Sequence, residues 1–403
     1  PYDLYVNNIN DKSAVIFDIG ESLTKLGFSG ESSPRAIIPT VVKQDNVVKY
    51  LTDIVDPEEQ KNFLISFIYE IYYRKLLVNP KDRRVVVVES ILNSIQRREI
   101  LANILFKHFE VPSILFTPIH LVSLFTIGLQ SGIVLDCGYK EATTIPVYEG
   151  FHLIRNWQAA QLGSYQVEKR LESMIIESGI LIDRTNKMKE IKDLKNPSEI
   201  LTREVLEDIK VRACVVSPID RADKWRQWLL TKDSDGAPSD RPVLVQDTFD
   251  YNLHSTPLGD ICLKLPIEIR ELATECLFDS EFEETTLASI VLDAILGAPI
   301  DCRRVLCENI LVIGGTCEIP GFRSRLLAEI RKLSQHNNRY SRLQQETYKM
   351  HDPPCYANYT GWLGAAIFGD LDTIGVRSLT RETYIEKGKV PDWTDTTEQK
   401  SRS

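Results

Sequence analysis

The sequence predicts an α/β protein made of two similarly planned domains that face each other across a cleft, and three observations carry that expectation. An apolar run closes on Asp-x-Gly twice, as Val15-Ile16-Phe17-Asp18-Ile19-Gly20 and as Ile133-Val134-Leu135-Asp136-Cys137-Gly138. Between these runs, short β-branched segments alternate with stretches of helical period, the pattern of a mostly parallel sheet crossed by helices. The 403 residues exceed what one hydrophobic core ordinarily organises. A strand ending in Asp-x-Gly sets a carboxylate and a tight turn at a cleft mouth, where backbone N–H groups can cradle an anion. The second copy is spoiled for that purpose, because Tyr139, Lys140 and Glu141 follow Gly138, bulky or charged where a phosphate needs bare backbone.

Residues 15–40 read as a meander of short strands, with Gly20, Gly27 and Gly30 at turns and Pro34 and Pro39 ending runs. Residues 41–54 are short and loosely patterned. Asp56-Pro57-Glu58-Glu59 reads as a helix start, and Phe63, Leu64, Phe67, Ile68, Ile71 and Tyr72 then share one face. Phe67, Tyr69, Tyr72 and Tyr73 read as helix packing rather than a ligand box. Residues 85–88, four valines, predict a buried parallel strand. A helix over 95–109, a strand over 114–116 and a helix over 118–128 lead into the second Asp-x-Gly run. Helices are then expected over 162–178 and 202–216, on either side of the charged stretch 187–195. A surface loop follows over 231–241, with helices over 266–277 and 285–296. Residues 309–315 read as a strand ending in Gly-Gly, 321–334 as the helix after it, and the chain from Asp392 as an exposed polar tail. The expected division is a first domain over 1–130, with 41–55 as its small subdomain, and a second over 131–350, with 165–260 as its small subdomain. Residues 351–403 return to the first domain.

Charged residues at 26% and the AVILMFWYC class at 43% give the balance of a soluble globular protein. A net charge of −9 offers no general attraction to nucleic acid or anionic membranes, so neither is expected as a partner. Eight cysteines without a C-x-x-C pair, and six histidines without H-E-x-x-H, predict a reducing compartment and no structural metal. No elbow motif surrounds a serine, which argues against nucleophilic catalysis. No apolar run reaches the roughly 18 residues of a spanning helix, and Pro1-Tyr2-Asp3-Leu4 lacks the features of a signal peptide, so a cytosolic protein is expected.

Asp18-Ile19-Gly20 with Lys25-Leu26-Gly27-Phe28-Ser29-Gly30 and Pro34-Arg35 is followed by 133–150, then by Ile313-Gly314-Gly315-Thr316 with Pro320-Gly321-Phe322, then by Gly361-Trp362-Leu363-Gly364-Ala365-Ala366-Ile367-Phe368. In this order and spacing, over nearly the whole chain, they resemble the actin superfamily. The resemblance implies that family's ribonuclease H-like fold, two α/β domains flanking a nucleotide cleft. It implies ATP or ADP with Mg²⁺ as cofactor, with Asp18 and Asp136 near the ion through water rather than by direct ligation and Lys25 on phosphate. Gly20, Ser22 and Gly138 would lie in the phosphate turns, Gly314, Gly315 and Thr316 beside the adenosine, and Lys210 in the helix that borders the base. Hard oxygens suit Mg²⁺, an ammonium suits phosphate and glycine permits close approach.

The departures leave no cofactor as the alternative. The family has serine and glycine where this chain has Glu21 and Ser22, and aspartate and glycine where it has Tyr139 and Lys140. A carboxylate about 4 Å from a phosphate oxygen costs roughly 4 kcal/mol at an effective dielectric near 20. Ile119 stands at the water-positioning glutamine and cannot orient a nucleophile. Thr143 replaces a histidine, Val211 the ribose-holding glutamate, Ile319 the adenine-stacking tyrosine and Asn358 a lysine. The expectation is a protein without catalytic residues. Either Glu21 and Lys140 meet across the cleft and brace it, or they are two solvated side chains on separate loops.

In polymerising members of the family, the stretch corresponding to 41–54 is a longer subdomain whose loop enters the next filament subunit at the pointed end. Here, at roughly 3.3 Å per residue, it is long enough for a hairpin but not for a projecting loop. Deleting one half of an open heterologous contact terminates a polymer, which predicts a pointed-end cap. An ordinary deletion in a monomeric relative is the alternative. The run over 76–90, Asp136-Cys137-Gly138-Tyr139 and Pro391-Asp392-Trp393 resemble the divergent actin-related proteins at the pointed end of dynactin. That likeness implies as partners the actin-like filament subunits of dynactin, actin and the other pointed-end subunits, in the cytoplasmic cytoskeleton and in support of dynein-based transport, without homo-polymerisation. An ATP-hydrolysing actin-like protein and a nuclear subunit of a chromatin complex are the competing readings. Trp225 and Trp228 read as core, or as anchors for a partner.

Overall fold

The computed structural model describes residues 12–44, 47–90, 93–231, 242, 248–256, 258–279, 285–345, 347–371 and 374–391. The loop expected over 231–241, apart from Thr231, and the tail from Asp392, with Trp393, lie outside these residues. β1 (Val15–Ile19) pairs antiparallel with β2 (Leu23–Phe28), which pairs with β3 (Ala36–Pro39). β4 (Val41–Gln44) and β5 (Val47–Tyr50) form a separate two-stranded hairpin, in register from Val41 opposite Tyr50. Such a pair is marginal alone. Leu51, buried at its base, and Val42 fasten it to the core beneath.

α1 (Pro57–Glu70) starts where the Asp56 carboxylate accepts from the Glu59 N–H at 2.9 Å. It buries Phe63, Leu64, Phe67 and Ile68, then widens into a π-helical turn over Ile71–Leu76. Tyr72 is core, but Tyr69 and Tyr73 stand on the outer face, about half exposed, so only part of the aromatic run packs as expected. β6 (Val85–Glu89) is buried throughout, lying parallel between β1 and β7 (Ser113–Pro118), as an apolar run with two covered faces requires. α2 (Ile95–Asn103) connects them, and α3 (Ile119–Phe125) leads out of β7. The strand Leu379–Thr380 closes the far edge of this first sheet.

The second sheet repeats the plan. β8 (Gly132–Cys137) pairs antiparallel with β9 (Ala142–Tyr148), as β1 does with β2, and parallel with a strand after a crossover. β10 (Phe151–His152) and β11 (Gln158–Ala160) extend it on β9. After α4 (Ser164–Ser178) comes a four-stranded antiparallel sheet that the sequence reading passed over. It comprises β12 (Ile180–Asp183), β13 (Met188–Glu190), β14 (Thr248–Thr256) and β15 (Gly259–Pro266), and α5 (Arg203–Ala213) and α6 (Ile219–Thr231) lie between its strands in sequence. The stretch over 187–195, expected only to separate two helices, supplies β13, an exposed edge strand whose alternation is charged rather than apolar. Trp225 of α6 is fully buried and its indole N–H donates to Glu271, so it is core.

α7 (Leu287–Gly297) and α8 (Ile300–Glu308) precede β16 (Ile310–Ile313), the parallel partner of β8. α9 (Phe322–His336) follows it, and α10 (Thr360–Phe368) returns to the first sheet, where buried Trp362 donates to the Ile16 carbonyl at 3.4 Å. α10 and α3 cross closely where the two sheets meet. A Cβ on Gly364 would stand 2.0 Å from the Val122 carbonyl oxygen, and one on Gly361 would stand 2.4 Å from Ile119.

Candidate functional site

A cavity of about 490 Å³ opens between the β1–β2 and β8–β9 turns, and all ten residues singled out for a nucleotide line it: Asp18, Gly20, Ser22, Lys25, Asp136, Gly138, Lys210, Gly314, Gly315 and Thr316. Sheet register makes the two turns equivalent. Asp18 sits opposite Lys25, and Asp136 opposite Thr143. The Lys25 ammonium pairs with Asp18 at 3.0 Å. Gly20 is required by its turn, because a Cβ there would approach the Leu23 carbonyl to 2.6 Å. In the second turn the Gly138 N–H donates to Glu141 at 3.0 Å. Its carbonyl accepts from the Thr316 hydroxyl at 2.7 Å, so Thr316 fixes the turn as well as lining the cavity. Gly314, at φ +99°, passes over Cys137 where any side chain would collide with that residue's carbonyl.

Burial pushes Asp136 up to about 6, against the pull of Lys25. Its carboxylate makes no hydrogen bond or ion pair with any described residue. A cavity-facing carboxylate of this kind beside an Asp–Lys pair, with glycine turns on both sides, fits a hydrated divalent cation and phosphate. Asn358, whose buried Oδ1 has no partner, adds an acceptor on the cavity wall. Lys210 is engaged elsewhere, its ammonium 2.6 Å from Glu168, which also accepts from the Tyr139 hydroxyl at 2.9 Å. Burial raises the Glu207 and Glu141 carboxyls above their ordinary range.

Glu21 and Lys140 do meet, at 3.8 Å. The nearer partner of Glu21 is Arg97 of α2, at 2.5 Å, a contact not anticipated above. The other predicted substitutions fall in two groups. Ile119, Thr143, Val211 and Asn358 line the cavity, whereas Ile319 is buried in the second sheet's core and does not. His120, the neighbour of Ile119, bonds the Thr143 hydroxyl at 3.2 Å; burial, reinforced by His152, pushes it down to about 3.

Besides Lys140, the open side of the cleft is crossed by residues that sequence reasoning missed. Lys140 donates to the Thr52 carbonyl at 2.9 Å. Arg203 of α5 donates to the Thr52 hydroxyl at 3.0 Å and stands 3.7 Å from Asp53. Its guanidinium lies over the Tyr50 ring at 4.2 Å and the Tyr139 ring at 5.0 Å. The Tyr50 hydroxyl donates to Glu204.

The chain belongs to the actin family, whose model matches residues 52–393, and the paired α/β sheets around this cleft are the fold of that family. It is 26% identical to Actin-related protein 10 of Dictyostelium discoideum over 96% of this chain and 90% of that protein. It is 24% identical to Putative actin-29 of the same organism, over 94% of this chain and 97% of that one. Among the described residues no helix is long and apolar enough to cross a membrane, and no group of three or more side chains could hold a metal ion.

Proposed function

We propose that this protein is a non-catalytic structural subunit that caps the pointed end of the actin-like filament of dynactin and docks the other pointed-end subunits, in the cytoplasmic cytoskeleton and in support of dynein-based transport. The observation that carries this reading is the fate of residues 41–54. Their described residues form a short hairpin and a turn, and Tyr50, Thr52 and Asp53 are engaged by the chain's own second half, at Lys140, Arg203 and Glu204. At fourteen residues the stretch is too short to carry a further projecting subdomain. At the end of β9 remote from the cleft, by contrast, Phe151 and Ile300 are each 75% exposed and Trp157 is 42% exposed. The turn before Phe151 lies beside α8, where Glu149 acts on Cys302, and Asn156 abuts Gly297. One apolar end that can dock and one end without a gripping loop are what a terminal subunit requires. Dynactin itself enters through the resemblance of the runs at 76–90 and 136–139.

In this reading the domains run over 1–130 and 131–350, with 351–403 returning to the first. Asp18 and Asp136 would hold Mg²⁺ through water, Lys25, Gly20, Ser22 and Gly138 would face phosphate, and Gly314, Gly315, Thr316 and Lys210 would border the nucleoside. ATP or ADP bound there would stabilise the folded chain by mass action. Turnover lacks its water-orienting group, because an isoleucine side chain occupies the wall at 119. Affinity purification of the full chain from cytosol tests the reading. Recovery of dynactin's filament and pointed-end subunits supports it, and their absence overturns it. The competing ATPase is favoured by one observation, the convergence of Asp18, Lys25 and Asp136, and Mg²⁺-dependent phosphate release lost in Asp136→Ala would establish it.

A further inference from the structure

The geometry points to a cleft that this chain fastens with its own side chains, so that its two halves stay closed without a nucleotide. The inference rests on the capping reading only for its purpose, and its physical content is independent of it. From the first half come Glu21, Tyr50, Thr52 and Asp53, and from the second Lys140, Arg203 and Glu204. Six contacts join the two groups: Lys140 to Glu21 at 3.8 Å and to the Thr52 carbonyl at 2.9 Å, Arg203 to Thr52 at 3.0 Å, to Asp53 at 3.7 Å and to the Tyr50 ring at 4.2 Å, and Tyr50 to Glu204. Arg97 holds Glu21 in place from behind at 2.5 Å.

Arg203 is the centre of the clasp. Its planar guanidinium is held between the Tyr50 and Tyr139 rings while it donates to the turn after β5, a combination that a lysine could not reproduce. Glu21 and Arg203 are each about one-quarter exposed, whereas Lys140 and Asp53 are exposed to solvent, so the ion pairs are open to salt and the Arg203 contacts with the Tyr50 and Tyr139 rings less so. A ligand shifts a conformational equilibrium only by binding one state better than the other. Where side chains already hold the closed state, a nucleotide in the cleft has little left to close. The end of β5 and the turn after it, Tyr50 to Asp53, are thereby occupied within the chain.

Amide hydrogen exchange on the isolated full chain reads this without any filament, so its outcome is separate from that of the capping reading. Without nucleotide, amides of β5 and residues 51–54 are expected to be protected at least about tenfold over the open chain, with Mg-ATP changing that protection less than about twofold. Arg203→Ala should speed exchange there about tenfold while β6 keeps its protection, and should enlarge the radius of gyration in solution scattering. Tyr50→Phe, which keeps the ring and loses only the bond to Glu204, should give a smaller increase in the same amides. Unprotected amides in the nucleotide-free protein would overturn the inference, and so would a tenfold gain on adding Mg-ATP or protection unchanged in both variants.

Discussion

Glu21 reaches Arg97 at 2.5 Å and Lys140 at 3.8 Å, so the carboxylate that intrudes on the first turn is neutralised from both sides of the cleft. Replacing it frees two cations that face the place where phosphate would lie. Glu21→Ser is therefore expected to bind Mg-ATP at least tenfold more tightly than the parent, about 1.4 kcal/mol, against a Coulomb ceiling of roughly 4 kcal/mol at 4 Å. Titration with a fluorescent ATP analogue checks it, and equal or weaker binding would contradict the electrostatic argument.

Phosphate release should stay at background in the parent protein with saturating Mg-ATP, and Asp136→Ala should be indistinguishable from it. Ile119, packed against Gly361, offers no hydrogen bond to an attacking water.

Exposed apolar residues on the end remote from the cleft predict a separation of docking from stability. Phe151→Asp and Ile300→Asp, each at a side chain 75% exposed, should leave the melting temperature within about 1 °C while abolishing co-purification with actin-like filament subunits. Retained co-purification would move the docking surface elsewhere.

Alanine is ordinarily the better helix former by about 1 kcal/mol, so Gly364→Ala would stabilise an isolated α10. Here the added Cβ would meet the Val122 carbonyl at 2.0 Å, and the sign reverses. A loss of about 2–4 kcal/mol is expected in urea unfolding.

Burial holds His120 down to about 3 and His152 down to about 4, against 6.5 for a free imidazole. Between these values the unfolded chain takes up protons that the folded one refuses. The two histidines thus contribute full stability above pH 6.5 and lose it as pH falls toward 4, on the order of a few kcal/mol. Asp136, pushed up to about 6 by burial, works in the opposite direction as pH falls below 6, so the test compares His120→Leu with the parent. The variant's unfolding midpoint should fall less steeply between pH 6.5 and 4.5.

What the sequence made legible is what local chemistry dictates. Four consecutive valines with no polar face can only be a strand covered on both sides, and 85–88 are. The Asp-x-Gly turns and the Gly-Gly-Thr run converge on one cavity, and at Gly20 and Gly314 an added side chain would collide with neighbouring backbone. Of the clasp only the Glu21–Lys140 contact was legible; its other partners stand far apart in the chain, Tyr50 and Glu204 being 154 residues apart, and only the packing of both sheets sets the distance between them. β13 and α8 were missed for a local reason. β13 is an exposed edge strand, and α8 is a nine-residue helix, too short for its apolar period to stand out.

The crossing of α3 and α10 has a mechanical meaning. With backbone against backbone at Gly364 and the Ile119 side chain packed directly on Gly361, little at the crossing can shear, so it acts as a stiff pivot. A frame pinned at its pivot and tied at its rim resists torque about the axis between. Under the capping role proposed above, a load on this chain would be carried through packed backbone, whatever small molecule the cleft holds.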